Sequence, residues 1–311
     1  MKRTWLITGG AGFIGSNIAE ELIKSGEKVI IFDNFSTGKY SNIKGFIDKI
    51  KLIKGDIRDF ASLKRAFKGV TYVLHQAAMR SVPKSVDDPR GANDNNITGT
   101  LNVLMAAKES KVEKVVYASS SSVYGDSKVF PQKESFCPSP ISPYAVSKLA
   151  AEHYCVMYYK TFGLRTTSLR YFNVFGPRQS PESIYSAVIP KFIELALNKK
   201  PIEIHWDGKQ SRDFTYVYNV VEANIKAALS KVSDGKFYNV ACGTTTSLLE
   251  IVTLLEKFLG YKLEKKFLPK RAGDVRKTWA DISLIKKDLN YKPSVNFETG
   301  LLKTLEWFRN K

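Results

Sequence analysis

Two rhythms of apolar residues run through the first 171 residues of this chain. Short apolar runs at 4–8, 28–33, 50–54, 71–75, 113–118 and 164–171 read as strands buried on both faces. Between them apolar residues return every three or four positions. Ile18, Leu22 and Ile23 mark one helix, a second follows Asp59, a third starts near Asn93 with Leu101, Val103, Leu104 and Ala107, and a fourth covers 144–162. Residues 79–89 read as a loop. Six strands alternating with helices predict an α/β, doubly wound parallel sheet, whose ligands sit at the carboxyl ends of the strands.

From Asn173 the rhythm changes. Helix 188–197, strand 202–205 and the polar turn 207–210 leave the sheet, whereas helix 218–230 and strand 237–240 return to it. Helices at 247–259, 283–288 and 298–309 suggest a smaller lobe. The expected division is a Rossmann-type dinucleotide-binding domain, 1–172 plus about 212–242, and a smaller α/β substrate-binding lobe, about 173–211 plus 243–311.

The first strand empties into Gly9-Gly10-Ala11-Gly12-Phe13-Ile14-Gly15. Glycines at 9, 12 and 15 allow a sharp turn, let backbone amides approach a pyrophosphate, and pack the helix close to the strand. The second strand ends in Asp33, followed by Asn34, where a carboxylate accepts hydrogen bonds from a ribose and repels a 2′-phosphate. NAD is therefore expected over NADP. At later strand ends, Asp56-Ile57 is placed against the adenine, Ala77-Ala78 gives a flat cofactor close backbone approach, and Asn96 either reaches the cofactor or caps. Asp59 is the better helix cap, and His75 reads as a packed core residue.

Ser142 and Pro143 suit the start of the fourth helix, so Tyr144 and Lys148 share a face of its first turns. An ammonium beside a phenol favours the phenolate and makes a base of it. The spacing alone is weak evidence, because Tyr40/Lys44, Tyr124/Lys128 and Tyr261/Lys265 share it. The third pair has a context: a strand ending in Ser119-Ser120-Ser121-Ser122, which places a serine hydroxyl near Tyr144.

Composition narrows the field. A chain of 311 residues, 43% of them apolar, can bury a sizeable core. Net charge is +18, yet the lysines are dispersed, without the aromatic interleaving of a single-strand binder, so no nucleic-acid partner is expected. The four residues of strand-like sequence before Gly9 are too short for a signal segment, and no apolar stretch approaches a membrane span, which points to a cytoplasmic protein. Three scattered cysteines and three scattered histidines suggest neither disulfides nor a metal cage.

With these pieces in place the whole chain resembles an extended short-chain dehydrogenase/reductase, and within it the NAD-dependent UDP-sugar 4-epimerases. The resemblance rests on Thr8 to Gly15, Asp33, Asp56, Ser120, Tyr144/Lys148, Arg170 to Arg178, Ser211-Arg212-Asp213 and Arg271-Ala272-Gly273-Asp274. It implies that Tyr144 is the base, that Lys148 binds the nicotinamide ribose and lowers the tyrosine pKa, and that Ser120 hydrogen-bonds the sugar oxygen. It implies that Tyr171 meets the cofactor and that Asn173, Arg212, Arg271 and Asp274 hold UDP. Arg80, Ser81, Ser121, Ser122 and Val188 are expected at the substrate. The related 4,6-dehydratases carry an Asp-Glu pair where this chain has Ser121 and Ser122, so epimerisation is the chemistry left. Thr278 occupies a position where a tyrosine would exclude N-acetyl groups, and its small side chain opens room for them. A UDP-uronate epimerase, with Arg80 or Lys84 meeting the acid, and a silent NAD-binding regulator are the alternatives. A homodimer through the helices near 93–108 and 144–162 is also implied.

Overall fold

The computed structural model describes residues 3–181, 188–270 and 275–311. Its first half alternates β1 (Thr4–Thr8), α1 (Phe13–Lys24), β2 (Lys28–Asp33), β3 (Ile50–Lys54), α2 (Phe60–Ala66) and β4 (Tyr72–His75). Then come α3 (Val82–Asp87), α4 (Pro89–Asn93), a π-helical turn (Asp94–Thr98), α5 (Gly99–Glu109), β5 (Lys114–Ser120), α6 (Pro143–Phe162) and β6 (Arg165–Tyr171). The second half holds β7 (Val174–Phe175), α7 (Val188–Leu197), β8 (Ile202–His205), β9 (Ser211–Arg212), β10 (Thr215–Tyr216), α8 (Val217–Leu229) and β11 (Lys236–Val240). It closes with β12 (Thr246–Ser247), α9 (Leu248–Leu259), β13 (Lys265–Leu268), β14 (Lys277–Thr278), α10 (Ser283–Leu289) and α11 (Phe297–Arg309).

Seven strands form one sheet in the order β11-β6-β5-β4-β1-β2-β3, with every pair parallel. The apolar runs alternate between its faces. Trp5, Ile7, Ile31, Leu74 and Val116 face a core completed by α1, α8 and α10, while Leu6, Ile30, Val73 and Val115 face one completed by α2, α5 and α6. Burial on both sides is why these strands lack polar alternation. Register brings Thr8 level with His75 and Ser120 level with Tyr171, so strand ends of separate sequence segments line one edge. A third core, with Phe192, Ile204, Ile251 and Leu305, joins α7, β8, α9 and α11.

Two expectations need correction. Residues 79–89 are not a loop: Ser81 accepts from the Lys84 amide at 3.3 Å and caps α3, and Asp88 accepts from the Gly91 amide at 2.8 Å and caps α4. The third helix accordingly begins at Pro89 and continues through the π-helical turn. Strand β13, which carries no apolar run in the sequence, opens at Lys265 and Lys266 and pairs with β8. Among the described residues no helix is long and apolar enough to cross a membrane.

Candidate active site

The glycine turn is dictated by contact distances. Gly9 has φ +68°, and a Cβ there would stand 2.7 Å from the Ala77 nitrogen. A Cβ on Gly15 would stand 2.3 Å from the Gly9 carbonyl oxygen. Only bare backbone lets β1, α1 and β4 approach so closely. Helix α1 starts at Gly12 with no side-chain cap, so its first amides are left for an anion. Gly9, Gly12, Phe13, Ile14 and Gly15 all line one cavity, which continues to Asp33, Asn34, Ile57, Ala77 and Ala78 and ends among Tyr144, Lys148 and Tyr171.

Asp33 is buried and accepts from the Ala11 amide at 2.9 Å and the Phe35 amide at 2.7 Å. Desolvation raises its pKa despite those two donors. Further donors from ribose hydroxyls suit such a carboxylate, whereas a phosphate would add charge where charge already costs. Bare glycines, uncapped amides and Asp33 fit NAD at this cavity.

Asp56 does not line the cavity, although its neighbours Gly55 and Ile57 do. Its carboxylate is held by Arg58 (2.7 and 2.9 Å) and by the Asn34 amide (2.9 Å), which keep its pKa well below the usual carboxylate range. Asp59 caps α2 at 3.1 Å from the Ser62 amide. Asn96 is also displaced from its expected place: it clasps the Met79 backbone at 2.8 and 3.1 Å, and Asn95 lines the cavity instead. His75 is a packed core residue, buried between Thr8 and Thr100.

At the reactive end, Ser142 caps α6 at 3.2 Å and sets Tyr144 and Lys148 on its first turns. Desolvation raises the Tyr144 pKa, while the neighbouring Ser120 hydroxyl and the Arg80 guanidinium pull it down. Lys148 Nζ donates to the Ala118 carbonyl at 2.9 Å, lies 5.8 Å from the Tyr144 ring centre, and is itself driven down to about 7 by burial. Arg80 lines the cavity as well; burial lowers its pKa and Tyr144 raises it. Ser120 accepts from the Ser122 amide and hydroxyl at 3.2 and 2.9 Å, and its neighbour Ser119, whose hydroxyl is given to Glu152, is the serine in the cavity wall. Ser121 and Ser122 sit in the following 3-10 turn. Ser81, spent on its helix cap, does not line the cavity.

Toward the other lobe, the Asn173 amide donates to the Asp213 carbonyl (3.1 Å) and the Thr278 hydroxyl (3.0 Å), and β14 sets Thr278 beside Arg212. Three expected substrate residues thus converge. Val188 opens α7 against the third core, and Arg271 and Asp274 lie outside the described residues.

Sequence reasoning passed over Glu152. It stands one turn beyond Lys148, accepts from Ser119 at 2.7 Å, and forms a buried pair with Arg170 at 2.6 and 3.0 Å. The four-residue spacing of Tyr144 and Lys148, carried one step further, points to it. Asp213, in the Ser211-Arg212-Asp213 motif, has a role the sequence does not announce: it accepts from the Cys242 and Gly243 amides at 2.9 and 3.0 Å, and desolvation pushes it up to about 7. Among the described residues no group of three or more His, Cys, Asp or Glu gathers to hold a metal.

Comparison with known proteins gives the family of the chain. The NAD dependent epimerase/dehydratase family matches residues 5–241. A UDP-N-acetylglucosamine 4-epimerase from Methanobrevibacter ruminantium M1, solved with UDP-N-acetylmuramic acid, is 41% identical with a TM-score of 0.95, covering 100% of this chain and 99% of its own. A putative UDP-glucose 4-epimerase of Methanocaldococcus jannaschii is 37% identical over 98% of each chain. A UDP-glucuronate 4-epimerase of Thermodesulfobacterium geofontis is 37% identical over 97% of this chain and 95% of its own.

Proposed function

The chain belongs to the NAD-dependent epimerase/dehydratase family, and we propose that it is a UDP-hexose 4-epimerase taking UDP-GlcNAc/UDP-GalNAc as well as UDP-Glc/UDP-Gal. One observation carries the reading: a single cavity is lined by the glycine turn, by Asp33 and by the Tyr144–Lys148 pair. Gly9, Gly12, Phe13, Ile14 and Gly15 would hold the pyrophosphate, and Asp33 with Asn34 a ribose. NAD supplies the hydride acceptor and donor, so net redox is zero.

Tyr144 takes the proton from the sugar O4 as C4 is oxidised, and returns it when the 4-keto sugar is reduced on its opposite face. Ser120 donates toward the Tyr144 oxygen and steadies its negative charge. Lys148, buried and held by the Ala118 carbonyl at the cavity wall, would bind the ribose. Asn173, Arg212, Arg271 and Asp274 keep the UDP part anchored while the sugar turns; paired arginines suit a diphosphate. No carboxylate stands at Ser121 or Ser122 to remove a C5 proton, which favours epimerisation over dehydration. Thr278 leaves the room that an N-acetyl group needs.

A second reading, UDP-uronate epimerisation, is favoured by Arg80, a guanidinium at the reactive end of the cavity. We place two lobes at 1–172 plus about 212–242 and about 173–211 plus 243–311; the third core supports the second lobe, while α10, within its span, packs against the sheet of the first. A homodimer is supported by exposed apolar side chains on α3, α5 and α6: Val82, Val86, Met105 and Val146. A cytoplasmic location is supported by the unpaired Cys137, Cys155 and Cys242. Tyr144→Phe tests the mechanism: turnover should vanish while NAD stays bound, and near-normal turnover would overturn it.

A further inference from the structure

A run of buried hydrogen bonds beneath the cavity floor has one direction throughout. The Thr100 hydroxyl has a single proton, and at 2.6 Å it donates to the Asn96 carbonyl. Toward His75 Nε2, at 2.9 Å, its oxygen is therefore an acceptor, and Nε2 carries the hydrogen. A neutral imidazole has only one N–H, so Nδ1 accepts from the Thr8 hydroxyl at 2.6 Å. The remaining Thr8 lone pair faces the Ala77 amide at 3.3 Å. Beyond Thr100, the Asn96 side-chain amide donates to Ser147 at 2.9 Å, and Ser147 donates to the Tyr144 carbonyl at 2.8 Å. Thr8, His75, Asn96, Thr100 and Ser147 are all buried.

We propose that His75, fixed as its neutral Nε2–H tautomer, is a positioning residue that ties the cofactor's glycine turn to the first turn of the helix carrying Tyr144. The ends of the run define the role. Thr8 leads into Gly9, which with Ala77 lines the cofactor half of the cavity, whereas Ser147 lies between Tyr144 and Lys148. Each bond points from the cofactor half toward Tyr144; those from Ala77 to the Asn96 carbonyl polarise one another, and the covalent frame of Asn96 joins them to the pair at Ser147. The π-helical turn at Asp94–Thr98 turns Asn96 away from the cavity and into this run. Breaking one link leaves a buried donor or acceptor unpaired and frees α6 to shift against the cavity floor.

The test uses the full chain with bound NAD, histidine labelled with 15N, and His75 assigned from its loss in His75→Gln. The expected wild-type signal is the neutral Nε2–H tautomer, unchanged between about pH 5 and 8. Thr100→Val keeps the volume, removes the acceptor and should move the ring to the Nδ1–H tautomer. It should also lower kcat by about 10-fold or more with the sugar KM unchanged, as small misplacements of reacting groups do. Thr100→Ser should restore tautomer and kcat together. A wild-type Nδ1–H or imidazolium signal, wild-type kcat in a folded Thr100→Val, or failure of Thr100→Ser to restore it would overturn the proposal. The kcat arm rests on the epimerase reading and the tautomer arm does not; with no UDP sugar turned over, the former reading fails and the NMR signal alone decides His75.

Discussion

Gly15→Ala is a small change with a computable consequence. The new Cβ would lie 2.3 Å from the Gly9 carbonyl oxygen and 2.8 Å from the Gly10 Cα, both backbone atoms that cannot rotate aside. Ordinary contact begins at 3.4 Å, so the shortfall is 3.4 minus 2.3, about 1.1 Å. Either the turn opens or α1 slides back. Overpacking of this kind costs about 1–3 kcal/mol of stability. A 1 Å displacement also takes an amide beyond hydrogen-bonding range of a phosphate, and one charge-assisted bond contributes about 1.5–3 kcal/mol. At about 1.4 kcal/mol per tenfold, NAD affinity should fall by about 10- to 150-fold. Isothermal titration of the cofactor-free protein with NAD, together with thermal unfolding, reads both quantities. Gly45→Ala, where nothing lies within 4 Å of the added carbon, is the control. Wild-type NAD affinity and melting in Gly15→Ala would refute the close-approach argument.

Thr278→Tyr should suppress turnover of UDP-GlcNAc by about 100-fold or more in kcat/KM while sparing UDP-Glc, since lost room penalises the larger sugar. An equal loss for both sugars would trace the effect to the broken Asn173 contact instead. His75 carries a pH prediction: burial depresses its pKa to about 3, so between pH 6.5 and 3 the unfolded chain binds the proton and the folded one does not. Stability is therefore whole above pH 6.5 and falls as the pH drops, by about 2 kcal/mol from this group between pH 6.5 and 5. Urea unfolding of His75→Gln over that range should show a flatter pH slope than the wild type, and identical slopes would contradict the assignment.

The sheet was legible in the sequence because β1, β2, β4 and β5 are buried on both faces and read as unbroken apolar runs. Gly9, Gly15 and Asp33 were legible for a local reason, since a turn, a close approach and a strand-end carboxylate each demand a residue type. Strands β7, β9, β10, β12 and β14 have two residues each, and no period is visible at that length. Strand β13 hides because Lys265, Lys266 and Phe267 are exposed and, among the described residues, it pairs only with β8. Helix α3 carried its own signals, Ser81 as cap and Pro83 in its first turn, which a loop reading passed over. The partners of Asp56 and Asn96 were not legible in the same way: Arg58 is only two residues from Asp56 but nothing in the spacing says which neighbour it takes, and pairing across 51 residues, as between Asn96 and Ser147, leaves no local trace.

The most direct measurement is incubation of the purified protein with UDP-GlcNAc and, separately, UDP-Glc, without added reductant, with the C4 epimers separated by chromatography. Conversion of both to equilibrium mixtures with the galacto epimers is expected, from a bound cofactor that is regenerated in each cycle and a pocket left open at Thr278. Conversion of neither would contradict the proposed function, and turnover confined to UDP-glucuronate would transfer the site to the uronate reading carried by Arg80.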